Sequence, residues 1–282
     1  MITDTQREQR RQHVGSSDSP AILGVSPYAT AGDVYWSKLG VEKPWRKEYD
    51  AGNYFEAAVL DHADKMIGIP IAVRDETFIS KGGILAANVD GMTTDGEPVE
   101  VKTVRFNSPV FDEWGDEGTD EIPRYVMVQA QHQLHCCDAD TAYVVGLFSN
   151  FDTRTYVVKR HPTMIDMIVS RGEAFWRDHV EKRVPPPETA SVEVLKRIPR
   201  EPGKVASVPI ELVRAACAAR DDVKAASQKL EAAKAALIEA MGDGEIAESD
   251  GFRVSLALQS RKEYTVKPSE FRALNFRLKG NK

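Results

Sequence analysis

Two strand patterns joined by a turn signal, in the stretch 83–104, constrain the fold of this chain most. Residues 83–91 are mostly apolar, and residues 98–104 alternate between apolar and polar side chains. Asp95-Gly96 between them is typical of a two-residue hairpin turn. The stretch therefore predicts an antiparallel hairpin in which the end of the first strand lies opposite the middle of the second.

Three charged residues of this hairpin, Asp90, Glu100 and Lys102, are expected to cluster. Successive side chains of a strand point to opposite faces, so Glu100 and Lys102 share one face. Val99 and Val101 share the other face. Folding back at the turn brings Asp90 opposite the segment that begins at Glu100. A solvated hairpin face with a Glu–Lys pair is the alternative interpretation of the same residues.

The clustered residue types suit metal-dependent phosphodiester hydrolysis. That reaction needs a divalent ion to neutralise developing charge and to lower the pKa of the attacking water. Carboxylates such as Asp90 and Glu100 suit Mg²⁺, because hard cations prefer oxygen ligands. Lys102 beside such an ion can orient or deprotonate the water, since the pKa of lysine shifts readily on desolvation. An aspartate followed by Glu-x-Lys is the arrangement of one large class of metal-dependent nucleases.

Polar residues on two predicted helices are candidates to complete such a site. Glu56 lies outside the apolar stripe of a helix predicted from Gly52 to Gly68, where it can serve a second metal ion. Gln129 and Gln133 share one face of the helix predicted after Pro123, and a glutamine can position water or a phosphate oxygen. An ordinary surface position is the alternative for each. Three histidines are candidate ligands, with a surface or packing role as the alternative: His62, His132 and His135.

The N-terminal segment combines basic residues with a predicted helix start. Residues 16–24 form a capped short helix in this interpretation, because Asp18 or Ser19 can cap it and Pro20 suits its first turn. Arginine binds phosphate bidentately, and the hydroxyls and amides at a helix start attract anions. The segment therefore predicts a pocket for a terminal phosphate, with a frayed basic terminus as the alternative. The basic residues before the helix are Arg7, Arg10, Arg11 and His13.

Composition is that of an ordinary globular protein. The 282 residues are 42% hydrophobic and 28% charged, which suits one large domain or two modest ones. No apolar run approaches the roughly 20 residues that span a bilayer, and the first residues lack a hydrophobic signal core. Three cysteines are too few and too badly spaced for a structural zinc or iron–sulfur site: Cys136, Cys137 and Cys217. We expect a cytoplasmic protein without membrane association.

A domain boundary is predicted at the proline triplet Pro185-Pro186-Pro187. The expected organisation is a first domain at 1–183, a proline-rich linker at 184–208 and a C-terminal extension at 209–282.

The C-terminal extension is predicted to contain a long helix, a strand and a basic tail. The helix runs from Pro209 to Met241, and its apolar residues form a heptad seam that can pair within the chain, between subunits or with another protein. Residues 252–258 alternate as a strand. Residues 253–282 are basic in a chain whose net charge is −6, so they can contact phosphates, with a charged solvated surface as the alternative.

The order of these motifs resembles the YqaJ-type viral recombinase family, relatives of phage lambda exonuclease among the PD-(D/E)XK nucleases. The resemblance covers roughly the first two thirds of the chain. The matching stretches are the basic segment leading into residues 15–28, Gly52-x-x-x-Glu56, Asp90-Gly91, Glu100-Val101-Lys102, and Ile122-Pro123-x-Tyr125 leading to Gln129-x-Gln131-x-Gln133-Leu134.

The resemblance implies an α/β fold and a specific activity. The fold would be a restriction-endonuclease-like core, a central mixed sheet flanked by helices, with a long helix and a β extension at the C-terminus. The activity would be 5′→3′ exonuclease digestion of double-stranded DNA ends with Mg²⁺ or Mn²⁺, and two ions are expected. The role would be end resection in phage or prophage recombination inside a bacterial host.

The resemblance also assigns roles to individual residues. Asp90 and Glu100 would bind metal, with help from the Val101 carbonyl. The other assignments are Glu56 for a second metal ion, Lys102 for activation of water and Gln129 for assistance to Lys102.

Two further positions follow from the same resemblance. Arg10 and Ser17 would bind the 5′-phosphate, and a one-residue shift to Arg11 and Ser16 stays open. The chain departs from RecB-like relatives at Gln133, which stands where they often carry a tyrosine.

Partners and alternatives complete the expectation. Members of the family that digest processively can be ring-shaped trimers around the duplex, and the typical partner is a single-strand annealing protein. Two other functions stay open. One is a structure-specific endonuclease of the same superfamily. The other is a non-catalytic DNA-binding or scaffold protein that uses the heptad helix and the basic tail.

Overall fold

The computed structural model describes Glu8, residues 10–41 and residues 47–258, and it divides into two compact units between Ile198 and Pro199. The first unit contains, in chain order, β1 (Val14–Gly15), α1 (Ser19–Ile22), α2 (Ala31–Lys38), α3 (Lys47–Ile67), β2 (Ile71–Ile79), β3 (Leu85–Thr93), β4 (Pro98–Val104), α4 (Arg124–Cys137), β5 (Thr141–Phe148), β6 (Thr153–Lys159), α5 (Pro162–Phe175) and α6 (Val192–Leu195). A 3₁₀ turn (Phe111–Glu113) precedes α4, and a π-helical segment (Trp176–Glu181) continues α5. The second unit contains α7 (Ile210–Met241), β7 (Ile246–Ser249) and β8 (Phe252–Ser255).

The strands of the first unit form one mixed sheet of six strands. β1 is parallel to β3, and β4 is parallel to β5. The other neighbours are antiparallel: β2 with β3, β3 with β4, and β5 with β6. Val99–Val104 pairs in unbroken register with Tyr143–Phe148, so β4 and β5 are a continuous part of the sheet. The expected central mixed sheet is confirmed.

β1 and β4 share one edge of β3. Ala86 and Gly91 both pair with β2 on the opposite edge. β1, which pairs at Ala86, and β4, which pairs at Gly91, therefore lie one after the other on the remaining edge. Within the described part of the chain, residues 87–90 have no strand partner on that edge. The sheet is open beside Asp90.

Helices cover both faces of the sheet, as expected. On one face, α3 packs Val59 and Ala63 against Val101. On the other face, α4 packs Leu134 against Val144 of β5. Because both faces are covered, β5 is apolar along nearly its whole length, which is typical of strands buried on both sides.

The segment that follows the proline triplet packs on α2. The Thr30 hydroxyl caps α2 and also donates to the Thr189 carbonyl at 3.1 Å. The Asp33 carboxylate accepts the backbone N–H of Ser191 at 2.7 Å, and α6 packs against the same surface. The structure thus corrects the linker expected at 184–208, since its first part belongs to the first unit.

The second unit exposes its long helix. No residue of α7 is buried, and Leu230 of the predicted heptad seam is 56% exposed. β7 and β8 form an antiparallel pair, of which only the second strand was expected. The pairing of the seam stays a prediction, and most of the predicted basic tail lies outside the described residues.

The hairpin predicted at 83–104 is present, but its turn is one residue earlier than expected. The Gly96 N–H donates to the Thr93 carbonyl at 3.0 Å, so Thr94 and Asp95 are the central turn residues. Gly96 follows with φ of 82°, a left-handed conformation that suits glycine after such a turn.

None of the helices in the described ranges is long and apolar enough to cross a membrane.

Candidate active site

The open edge of β3 places Asp90 against the backbone of β4. Asp90 Oδ2 accepts the N–H of Val101 at 2.8 Å. A side chain thus takes up a donor that strand pairing would otherwise satisfy. This contact fixes the Asp90 carboxylate next to Glu100, where the sequence predicts it.

Glu100 and Lys102 meet Gln129 of α4 in one hydrogen-bonded cluster. The Lys102 ammonium donates to Glu100 Oε1 and, at 3.0 Å, to Gln129 Oε1. Gln129 Nε2 donates to Glu100 Oε1 at 2.7 Å. Glu100 is only 4% exposed, so the alternative of a solvated hairpin face is wrong.

Electrostatics make Asp90 an unfavourable place for a lone negative charge. Burial, and then the charges of Glu100 and Glu56, raise the pKa of Asp90 well above its ordinary value of 3.8. Lys102 and the Val101 N–H act in the opposite direction without cancelling the rise. A cation bound here would favour the ionised carboxylate.

Lys102 is held in its charged form. Burial alone would lower its pKa, but the neighbouring negative charge of Glu100, assisted by Asp90, outweighs burial and raises the pKa above its usual value. Lys102 is therefore a cation at neutral pH in this arrangement, and it acts as a hydrogen-bond donor.

The acidic residues fit a magnesium-type ion with two close carboxylate ligands. Glu56 of α3 lies close enough to Asp90 for its charge to raise that pKa. No three His, Cys, Asp or Glu side chains in the described ranges converge closely enough to hold a metal ion between them. Mg²⁺ usually takes one or two carboxylates and completes its coordination with water and phosphate oxygens. Asp90 and Glu100 match that requirement, because the hydrogen bond from the Val101 N–H holds the Asp90 carboxylate beside the residue that follows Glu100.

α4 carries a buried polar face beside this cluster. Gln129, Gln131, His132 and Gln133 are all 7% exposed or less. Burying an amide or imidazole costs free energy unless it is hydrogen-bonded, so the partners of these residues indicate what each one does. The alternative of an ordinary surface position for Gln129 and Gln133 is wrong.

Two of these residues tie α4 to its surroundings. Gln131 donates to the Lys159 carbonyl at 2.7 Å and accepts the His161 N–H at 2.8 Å. His132 Nδ1 lies 2.7 Å from the Ser19 hydroxyl. Burial lowers the pKa of His132 to about 3, so this imidazole is neutral and serves packing rather than charge. Gln131 thus joins α4 to the end of β6, and His132 joins it to α1.

Two tyrosines lie at the start of α4. Tyr125 and Tyr28 pack edge to face with ring centroids 5.5 Å apart, and the Tyr28 hydroxyl is 3.0 Å from that of Ser108. Burial raises the pKa of Tyr125 to about 12, although the nearby charge of Lys102 opposes this rise. Sequence reasoning did not give Tyr125 a role at the site. Its position one helical turn before Gln129 is the signal that could have found it.

The segment predicted to bind a terminal phosphate is organised by a buried ion pair. The Lys38 ammonium donates to Asp18 Oδ2 at 2.5 Å and to the Arg10 carbonyl at 2.6 Å. Asp18 Oδ2 also accepts the Gly15 N–H at 2.8 Å. These contacts fix the backbone from Arg10 to Asp18, but they use the Asp18 side chain inside the loop rather than as the expected helix cap.

Exposure separates the two registers left open for the phosphate pocket. Arg10 and Ser17 are exposed, whereas Ser16 is only 4% exposed and Arg11 is partly buried. Arg11 also forms an ion pair with Glu8 at 3.7 Å. The first register therefore offers both side chains to an external ligand. Arg7 lies outside the described residues.

The remaining histidine candidates lie apart from the cluster. His62 is exposed on α3, and His135 is half-buried at the end of α4. Burial, and then the charge of Arg160, lower the pKa of His135. Within the described residues, no hydrogen bond joins either histidine to Asp90 or Glu100.

Known proteins resemble this chain over the part that contains the site. Residues 7–140 match the model of the YqaJ-like viral recombinase domain, and every predicted site residue lies within that range. The uncharacterized protein YqaJ of Bacillus subtilis (strain 168) is 28% identical over 179 residues, which are 61% of this chain and 54% of that protein. The match thus spans about half the length of this relative.

Solved structures share the fold. An alkaline exonuclease from Laribacter hongkongensis superposes with a TM-score of 0.52 and 14% identity, covering 64% of this chain and 94% of the other. The same exonuclease in complex with dAMP superposes with a TM-score of 0.51, with the same identity and coverage. At this identity the likeness establishes the architecture alone, a central mixed sheet flanked by helices. Residues 7–140 of this chain are thus similar to the YqaJ-like viral recombinase domain.

Proposed function

We propose that this protein is a metal-dependent deoxyribonuclease that digests linear double-stranded DNA in the 5′→3′ direction and leaves 3′ single strands. One observation carries the proposal: Asp90, Glu100, Lys102 and Gln129 meet at the open edge of β3. The YqaJ-like domain and the exonuclease-like fold support the same reaction class.

The acidic residues would hold the metal ions. Asp90, Glu100 and the Val101 carbonyl would bind Mg²⁺ or Mn²⁺, and Glu56 would serve a second ion. The bound ion would neutralise charge on the phosphate and lower the pKa of the attacking water. The repulsion that raises the Asp90 pKa is relieved by such a cation, because an opposite charge favours the ionised carboxylate.

Lys102 and Gln129 would position the reacting groups. Without a metal ion, the charge of Glu100 raises the pKa of Lys102, and the ammonium would donate hydrogen bonds to the attacking water or to a phosphate oxygen. Gln129 accepts from the Lys102 ammonium at 3.0 Å and thereby fixes where that charge lies. Lys102 would activate the attacking water from this position, beside the carboxylate proposed to bind the metal ion.

The N-terminal segment would give the reaction its direction. Arg10 and Ser17 are exposed donors on a backbone that Lys38 anchors. A guanidinium and a hydroxyl together suit a terminal phosphate, which carries more negative charge than an internal one. An enzyme that holds the 5′-phosphate of a strand digests that strand from its 5′ end.

Partners and setting follow from this function. The substrate would be a double-stranded DNA end, and the exposed 3′ strand would pass to a single-strand annealing protein. A ring-shaped trimer would enclose the duplex. The proposed setting is phage-type recombination in the cytoplasm of a bacterial host.

Cleavage of strand-labelled DNA tests the proposal. Linear duplexes labelled on each strand separately, with 5′-phosphate or 5′-hydroxyl ends, are incubated with Mg²⁺ or Mn²⁺ beside covalently closed circles. We expect loss of the 5′-phosphorylated strand only. Lys102→Ala should lower the rate about 10²–10⁴-fold. Lys81→Ala, which removes a side chain that is 92% exposed, is the matched control and should change nothing.

Other outcomes have distinct meanings. Arg10→Ala should reduce the preference for a 5′-phosphate over a 5′-hydroxyl, and an unchanged preference would remove Arg10 from the pocket. Nicking of closed circles would indicate a structure-specific endonuclease. No cleavage of any substrate with either ion would overturn the enzyme and leave a DNA-binding or scaffold protein.

A further inference from the structure

Gln133 is a fully buried glutamine whose amide reaches the candidate site from α4. Its Nε2 donates to Glu100 Oε2 at 2.5 Å. The other carboxylate oxygen, Oε1, accepts from Gln129 and Lys102. Gln129 and Gln133 lie on the same face of α4, because residues at this spacing are helical neighbours. Each oxygen of the Glu100 carboxylate therefore has its own glutamine.

The neighbours of the Gln133 amide determine its orientation. The Glu100 carboxylate and the Asn88 carbonyl, 3.5 Å from Nε2, are both acceptors, so the amide nitrogen must face them. The amide oxygen on the other side is buried without a hydrogen-bond partner among the described residues.

An apolar side chain would suit that position better if packing were its only role. An unpaired buried amide oxygen is destabilising, whereas a methionine or leucine would fill the same space without it. The nearby Gln131 shows the contrast, since both ends of its amide are paired. The donor function of Gln133 toward Glu100 is what distinguishes it from a packing residue.

From this geometry we propose that Gln133 is a positioning residue that fixes the Glu100 carboxylate for metal binding. It holds Oε2 in one place, so that Oε1 can exchange its contacts with Gln129 and Lys102 for a divalent cation without rotation of the side chain. The inference rests on the proposed function, because only a metal-dependent site needs Glu100 in one fixed orientation. Removing a residue that orients a metal ligand in this way typically lowers metal affinity or activity by about 10–100-fold.

This role also explains why a glutamine can occupy position 133. RecB-like relatives often carry a tyrosine there, and the sequence suggested that Gln133 positions water or a phosphate oxygen. In the structure the side chain instead contacts Glu100 and the Asn88 carbonyl, both inside the protein.

Mn²⁺ binding to the full-length protein without DNA is the test. Isothermal titration calorimetry compares wild type, Gln133→Met and Gln131→Met. Methionine has a similar length to glutamine but no N–H donor. Gln131 is the matched control, because it lies on the same helix and is 1% exposed, while its amide bonds the Lys159 carbonyl and the His161 N–H.

We expect Gln133→Met to weaken Mn²⁺ binding about 10–100-fold and Gln131→Met to leave it unchanged. In DNA cleavage, Gln133→Met should raise the Mn²⁺ concentration for half-maximal rate, and saturating Mn²⁺ should recover most of the rate. If Gln133→Met does not fold, Gln133→Asn is measured in the same way. Its amide is shorter by about one C–C bond, roughly 1.5 Å, and does not reach Glu100.

The two proposals fail differently. Equal Mn²⁺ affinities for wild type and Gln133→Met, or an equal loss in Gln131→Met, would overturn the positioning role, while cleavage by the wild type would leave the nuclease function standing. A wild-type protein that neither binds Mn²⁺ nor cleaves DNA would overturn both.

Discussion

At the residue scale, Asp90 shows how a site can be stabilised by what it binds. Burial, and then the charges of Glu100 and Glu56, raise its pKa above 3.8. The folded protein therefore holds the proton of the Asp90 carboxyl group more tightly than the unfolded chain does. The folded state binds more protons in that range, and its stability therefore falls as pH rises above about 3.8 toward the raised pKa. At neutral pH, without a metal ion, Asp90 destabilises the fold.

Asp90→Asn should therefore stabilise the metal-free protein at pH 7. The asparagine oxygen can still accept the Val101 N–H, and the variant should unfold at a higher urea concentration than wild type, because it lacks the charge that burial, Glu100 and Glu56 disfavour. Urea unfolding in EDTA measures the gain, and Mn²⁺ should then stabilise wild type but not the variant. Asp61→Asn, at an exposed site on α3, is the control. A variant less stable than wild type in EDTA would contradict this account.

His132 should make the protein sensitive to acid. Burial lowers its pKa to about 3 from 6.5, so the contribution of the neutral imidazole is present above 6.5 and is lost as pH falls toward 3. Between pH 7 and pH 5 the loss should be about 2 kcal/mol. His132→Asn should be less stable at pH 7 but should lose less stability on acidification, as followed by urea unfolding at both pH values. An unchanged pH slope, equal to that of the control His62→Asn, would show that His132 is not the titrating group.

At the scale of elements, the contact between α2 and the segment after the proline triplet depends on a missing side chain. A Cβ on Gly32 would lie 2.4 Å from the Glu188 carbonyl oxygen and 2.4 Å from the Ala190 nitrogen. Both are backbone atoms, which cannot move aside as the end of a flexible side chain can. The backbone of residues 188–190 therefore approaches α2 more closely than any residue with a side chain at position 32 would allow.

Two glycine substitutions in helices should accordingly have opposite signs. Gly32→Ala should destabilise the fold by about 1–3 kcal/mol, through overpacking against backbone. Gly52→Ala, in α3, meets open space and should stabilise by about 0.5–1 kcal/mol, because alanine has the higher helix propensity. Thermal unfolding of both variants gives the comparison. A neutral Gly32→Ala would mean that residues 188–190 do not pack on α2 in solution.

Local patterns predicted some elements well and left others unseen, for identifiable reasons. β4 was predicted with its observed bounds, because strict alternation is a local signal. β2 was missed, because Arg74-Asp75-Glu76 interrupts its alternation and its stability comes from pairing with β3, a non-local contact.

The same distinction holds for the candidate site. Asp90, Glu100 and Lys102 were predicted to meet, because strand alternation and a turn signal are both visible in the local sequence. The buried face of α4 was not predicted, because glutamine is usually a surface residue and burial depends on what covers it. The contact of Gln133 with Glu100 depends on how α4 lies over β4, which no local pattern specifies.

At the scale of the whole molecule, the two units differ in how they are stabilised. The first unit has a buried apolar core and contains every predicted site residue, whereas α7 of the second unit has no buried residue. Burial of apolar surface is the main source of folding stability. The first unit should therefore unfold cooperatively by itself and carry the chemistry.

Two truncations locate the end of that unit. A chain of residues 1–198 should keep the unfolding temperature and DNA cleavage of the first unit, because its core is intact. A chain of residues 1–183, which ends at the boundary expected from the sequence, loses the contacts of Thr189 and Ser191 and the buried Val194. Burial of a valine contributes about 1.5–3 kcal/mol.

A loss of about 2 kcal/mol should lower the melting temperature of residues 1–183 by about 4–8 °C relative to residues 1–198, as measured by differential scanning calorimetry. Cleavage at low temperature should persist in both truncations, since the site residues are the same. Equal melting temperatures would show that the segment after the proline triplet adds nothing to the first unit. Failure of residues 1–198 to fold would show that the second unit is needed for the core.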